Sequence, residues 1–120
     1  MREILFRAKT VCDGDWIYGG ITWNPSKNEV FIHTKWDEGK VIPETVGQYT
    51  GLCDKNGKKI FEHDIVRIAV CGTYDNYVIS YDKENARFVV GDTGFTFWSY
   101  ISTKIEVIGN IHDNPELLNK

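Results

Sequence analysis

Glu44-Thr45-Val46-Gly47-Gln48-Tyr49-Thr50-Gly51-Leu52-Cys53-Asp54-Lys55-Asn56-Gly57-Lys58-Lys59-Ile60-Phe61-Glu62-His63-Asp64-Ile65-Val66 is the stretch that decides how this chain is read. Short strand-like runs alternate with the tight-turn residues Gly47, Gly51 and Asn56-Gly57, so the stretch specifies backbone shape. No nucleophile, metal-ligand cluster or phosphate cradle accompanies it. A calcium loop of the EF-hand kind needs glycine at its sixth position and a bidentate glutamate at its twelfth. Counted from Asp54, glycine is fourth and the twelfth residue is Ile65. Asp54-Lys55-Asn56-Gly57 therefore reads as a hairpin turn with Asn56-Gly57 at its apex.

Working outward, the apolar residues are mostly β-branched or aromatic and come in short runs separated by turn clusters, the pattern of strands. The spacing predicts strands over 4–8, 16–23 with an interruption at Gly19-Gly20, 29–34, 48–52, 65–70, 77–81, 87–90, 95–100 and 105–111. Asp13-Gly14, Asn56-Gly57 and Gly91-Asp92-Thr93-Gly94 supply residues that accept positive φ, and each predicts a chain reversal. Helix is scarce: Asn114-Pro115-Glu116-Leu117-Leu118 has an N-cap, a proline at the first helical position and an early acid, with room for a turn or two. The fold class is mainly β. Residues 1–120 read as a single domain, dividing if anywhere near Pro43 into two β subdomains, about 1–43 and 44–120. The first part is smaller and less regular. The second has the strand count of a small antiparallel barrel of the SH3-like or OB-like kind.

With 120 residues the chain can bury roughly two thirds of its unfolded surface, so no disulfide staple is required. Cys12, Cys53 and Cys71 are odd in number and contain no CxxC pair, which points to reduced thiols in a cytoplasmic setting. The N-terminus meets a second charge before any signal-like apolar run, and no run is long enough to span a bilayer. A net charge of −3 supplies no counterion-release drive toward nucleic acid and is too mild for a DNA mimic.

Glu62-His63-Asp64 is the densest titratable triplet. In extended chain Glu62 and Asp64 would share a face while His63 pointed away, a poor general-base arrangement. His33, His63 and His112 share no metal-ligand spacing and are expected to stay apart as ordinary imidazoles. The serines lie outside nucleophile motifs, and a reactive thiol at Cys71 would need a basic neighbour. No catalytic, cofactor-binding or metal residue is assigned, and no cofactor is expected. Aromatic residues are dense, and most are expected in the core. The segment 95–100 is apolar on both faces: Phe95 and Phe97 lie on one, Trp98 and Tyr100 on the other. A strand with two apolar faces must be covered twice, so Trp98 and Tyr100 are the candidate contact surface.

Three blocks together resemble the YopX family of small phage and prophage proteins. They are residues 1–8, residues 44–66, and Ile105-Glu106-Val107-Ile108-Gly109-Asn110-Ile111 with Asn114-Pro115-Glu116-Leu117. The middle motif, Thr45 to Leu52 followed by Asp54-Lys55-Asn56-Gly57-Lys58, is the specific part. The resemblance implies a mainly β fold and a phage or prophage gene context, and it brings no established activity. Two positions depart from the family pattern: His63 stands where glycine is usual, and Cys53 where a polar or charged residue is common. Histidine tolerates positive φ better than branched residues, should that site require it.

The expectation is a non-enzymatic protein-binding or self-assembly module in the bacterial cytoplasm. It would act as a homo-oligomer or dock a host or phage protein, with neither membrane nor nucleic acid as a partner. Two other classes remain: a carboxylate-based metal-assisted hydrolase using Glu62 and Asp64 with Asp92 or His112, and a weak single-strand nucleic-acid binder working through aromatic stacking.

Overall fold

The computed structural model describes residues 3–70, 72–91, 95–96 and 104–118. The strands are β1 (Phe6–Lys9), β2 (Trp16–Asn24), β3 (Glu29–His33), β4 (Glu38–Val41), β5 (Gly47–Cys53), β6 (Lys59–Phe61), β7 (Asp64–Val70), β8 (Thr73–Asp82), β9 (Arg87–Val90), β10 (Phe95–Thr96) and β11 (Ile105–Asn110). Short 3-10 turns occupy Pro43–Thr45 and Pro115–Leu118. The fold is mainly β, and every described strand pairing is antiparallel. The chain groups into two compact units, Met1–Tyr49 and Thr50–Lys120, with β5 running from one into the other.

In the first unit β1 pairs with β2 on one side and with Gly47 and Gln48 of β5 on the other, while β3 joins β2 to β4. Residues directly opposite one another share a face. Ala8 therefore lies beside Ile17, and Val30 beside Val41, on one apolar side. Ala8, Val30, Ile32 and Val41 are buried there, with Phe6, Ile17 and Val46 packed against them. Gly19-Gly20 does not interrupt β2, which runs through both. Gly19 is needed there because a Cβ would overlap the carbonyl oxygen of His33 and sit 2.8 Å from its carbon.

The outer edge of β4 is stitched to the end of β1. Val11 donates its N–H to the Lys40 carbonyl at 2.9 Å, Ile42 donates to the Lys9 carbonyl at 2.9 Å, and Thr10 bridges Val41. The turn between β1 and β2 is thereby held against β4.

In the second unit the sheet order is β10-β9-β8-β7-β11, with a bulge in β11 between Val107 and Gly109. Ile60, Val66, Ile68, Ile79, Val90 and Ile105 form its core, and Leu52, Tyr77, Phe88 and Val107 pack around them. Each fully buried isoleucine or valine contributes about 1.5–3 kcal/mol of transfer free energy. Among the described residues, isoleucine and valine, rather than the expected aromatics, dominate both cores.

The barrel suggested by strand spacing does not close among the described residues, and the Asp54 turn covers one of the open edges. That turn occupies the outer edge of β11: Lys55 donates its N–H to the Ile105 carbonyl at 3.0 Å, and Asp54 Oδ2 accepts the Val107 N–H at 2.9 Å. Groups that a closing strand would have used are taken by the turn.

Candidate functional site

The stitching of β4 to β1 leaves a shallow groove in the first unit, about 450 Å³ in volume, between residues 10–13 and residues 37–40. Ile17 lines its floor. Gly39 keeps it open, since a Cβ at that position would stand 3.3 Å from Ile17 Cδ1 and 3.5 Å from Thr10 Cγ2. The rim is polar. Asp13 Oδ1 accepts the Thr10 hydroxyl and, at 3.1 Å, the Asp15 N–H. These two bonds, the hydroxyl first, hold the Asp13 carboxyl below the ordinary aspartate value. Asp37 Oδ1 accepts the Glu38 N–H at 2.7 Å, and Glu38 Oε2 lies 2.8 Å from His33 Nδ1. Lys40 is the lysine of the lining, and its ammonium is paired with Glu29 at 2.9 Å. Cys12 is an exposed free thiol on the same rim.

Apolar side chains are uncovered near this groove's unit surface. Ile21 and Trp23 pair with Ile32 and Val30 and so continue the core stripe along β2, yet they are 38% and 62% exposed. Trp36, at the β3–β4 turn, is 86% exposed, with the Lys35 ammonium 5.2 Å from its ring centroid. On β1, Arg7 is buried with its guanidinium carbon 4.7 Å over the Trp16 ring. In the second unit Tyr81 meets Phe88 edge to face at 5.2 Å. Alternation could not separate these exposed aromatics from core ones, because pairing of β2 with β3 decides which stripe extends past its cover.

The hairpin reading of Asp54-Lys55-Asn56-Gly57 holds. Asp54 Oδ1 accepts the N–H groups of Asn56 and Lys58, both at 2.9 Å, while Oδ2 reaches Val107. Gly57 takes φ +83 and Asn56 does not turn positive, so the loop is a type I turn with a glycine bulge rather than the doubly positive form. Burial pushes the Asp54 carboxyl upward. The N–H groups of Val107, Lys58 and Asn56, with the Lys58 charge, outweigh it and hold the carboxyl below its usual value.

Glu62-His63-Asp64 departs from the extended geometry expected of it. Glu62 and His63 form a turn, and His63 adopts φ +75, the conformation that glycine would favour at this position. As a result the two side chains do not point apart: His63 Nε2 lies 3.7 Å from Glu62 Oε2. Asp64 is 1% exposed, and its Oδ2 accepts the Phe61 N–H at 2.8 Å, which makes it a structural acceptor.

His112, expected to stay apart, meets the His63 ring edge to face with centroids 5.4 Å apart. The backbone explains it. Ile111 donates to the His63 carbonyl at 3.1 Å, carrying the turn after β11 onto the turn before β7. No sequence spacing carries that information. No group of three or more possible metal-ligating side chains occurs among the described residues. Trp98, Tyr100, Cys71 and Asp92 lie outside the described residues. No described helix is long and apolar enough to cross a membrane.

These features define a small antiparallel β protein of two compact units whose most specific motif is a structural turn. The family model described as "YopX protein" matches residues 6–119, and the chain belongs to the YopX family. It is similar to the crystal structure of protein EF1440 from Enterococcus faecalis, at 25% identity and a TM-score of 0.69, covering 99% of this chain and 100% of that one. No curated protein matches the sequence.

Proposed function

We propose that this YopX-family chain is a non-enzymatic binding or self-assembly module, encoded by a phage or prophage and acting in the bacterial cytoplasm. One observation carries the reading: Ile21 and Trp23 extend the apolar stripe of the first unit beyond its own cover. Adjacent apolar side chains left exposed on one sheet face favour burial against another surface. The gene context rests on the family resemblance, and the cytoplasmic setting on reduced cysteines. The partner is a second copy or a host or phage protein.

Light scattering at high micromolar concentration tests the assembly form. Wild-type protein should exceed monomer mass, and Trp23→Ser should return it to monomer without lowering the melting temperature. A monomer at every concentration would overturn that form. Turnover of any substrate, abolished by changing one acidic or imidazole side chain at unchanged melting temperature, would overturn the non-enzymatic reading as a whole.

A further inference from the structure

β2 has nine residues, and the strands beside it have four and five. β1 follows one edge of β2 only as far as Gly19, which lies opposite Phe6, whereas β3 follows the other edge from Gly20 to Asn24. Residues 20–24 thus pair on one side alone among the described residues. Alternate residues of such a strand direct their N–H and C=O groups to the other side. Gly20, Ile21, Thr22 and Trp23 are all exposed. Sheet edges of this kind are ordinarily blunted by a charge or a proline. β2 contains neither, from Trp16 to Asn24.

The stretch fits a second copy of itself. Its centre is Thr22, and a two-fold antiparallel pairing about Thr22 sets Gly20 opposite the partner's Asn24 and Ile21 opposite the partner's Trp23. That register uses all five residues and ends where it must: Pro25 follows Asn24 and lacks an N–H, and β1 occupies the edge from Gly19 onward. Opposed residues share a face, so Ile21 and Trp23 of the two copies form one apolar row, each indole beside a β-branched side chain. The match in length, register and side-chain pairing selects a second copy over an unrelated strand. We propose that two copies of this chain pair antiparallel through residues 20–24, joining their first-unit sheets across an axis at Thr22. The inference deepens the self-assembly form of the reading above and rests on it. Five residues a side make a small interface, so the dimer forms at high concentration and exchanges quickly.

The test places a thiol on the axis. Opposed residues of an antiparallel pair have Cα atoms about 4.5–5.5 Å apart, within reach of a disulfide. The full chain is used, with its native cysteines replaced by serine. Thr22→Cys should be oxidised to a covalent dimer by glutathione disulfide about tenfold faster than Tyr18→Cys, because pairing raises the local thiol concentration. Tyr18 is also exposed and shares the Thr22 face, but it stands four positions from the axis in each copy, too far to meet its counterpart. A second measurement needs no substitution. In a mixture of carbon-13-labelled and unlabelled wild-type protein, isotope-filtered NOEs should join Ile21 of one copy to Trp23 of the other.

Equal oxidation rates at positions 18 and 22, or NOEs between copies confined to residues outside 20–24, would overturn the edge pairing. Wild-type protein that exceeds monomer mass, and that Trp23→Ser returns to monomer, while position 22 shows no preference, would sink this inference alone and leave the assembly reading standing. Monomer at every concentration would remove both.

Discussion

The carboxylate of Asp54 accepts the backbone N–H of Val107 at 2.9 Å, across 53 residues of sequence. Its other oxygen closes the turn through Asn56 and Lys58. One buried side chain thus fixes a hairpin loop and fastens it to the outer strand of a sheet.

Asp54→Asn should destabilise the protein by about 2 kcal/mol, because one of the two oxygens becomes an NH2 that must face an N–H donor. Asp54→Ala, which leaves all three N–H groups without their acceptor, should cost about 3 kcal/mol or more. Urea unfolding of the variants checks both values.

The same carboxyl gives a pH dependence. Its folded pKa is depressed, so its stabilisation is present above the unfolded value of about 3.9 and is lost as pH falls through the lower folded value. Urea midpoints should fall between about pH 5 and pH 2, and Asp54→Asn should reduce that slope. A variant with the wild-type slope would show that other carboxylates carry it.

Gly19 and Gly20 are neighbours with opposite tolerance. Gly19→Ala drives a Cβ into the His33 carbonyl, whereas Gly20→Ala points into open space. The first should cost about 4 kcal/mol or prevent folding, and the second should stay within about 1 kcal/mol of wild type. Thermal unfolding by circular dichroism separates them.

His63 holds φ +75. His63→Gly relieves the left-handed strain while losing the ring contact with His112, so it should lie within about 1 kcal/mol of wild type. His63→Val adds a branched side chain in that conformation and should cost about 2 kcal/mol more than the glycine variant. Equal stability of the two variants would contradict this account.

Much of the second unit could be read from the chain because its signals are local. Arg87 to Val90 is bounded as alternation predicts, and Asp54 with Asn56-Gly57 announces its own reversal. β4, Glu38–Val41, escaped notice because Glu38-Gly39-Lys40 carries little strand propensity, and pairing with β3 makes it a strand. β6 is three residues long and gains its place from pairing and the burial of Ile60 and Phe61. The groove was invisible for the same reason: its two walls are brought together by Val11 and Lys40, far apart in sequence. His63 and His112 likewise meet through a backbone bond that no motif encodes.

The Asp54 turn also bears on how these molecules behave when crowded together. An outermost strand with open amide and carbonyl groups is a template on which a stranger's backbone can lengthen the sheet, the first step toward fibrils. Here a side chain of the same molecule holds the amide of Val107, and the neighbouring residue's N–H holds the carbonyl of Ile105. Ribbon-like growth from that side finds neither of these two groups open.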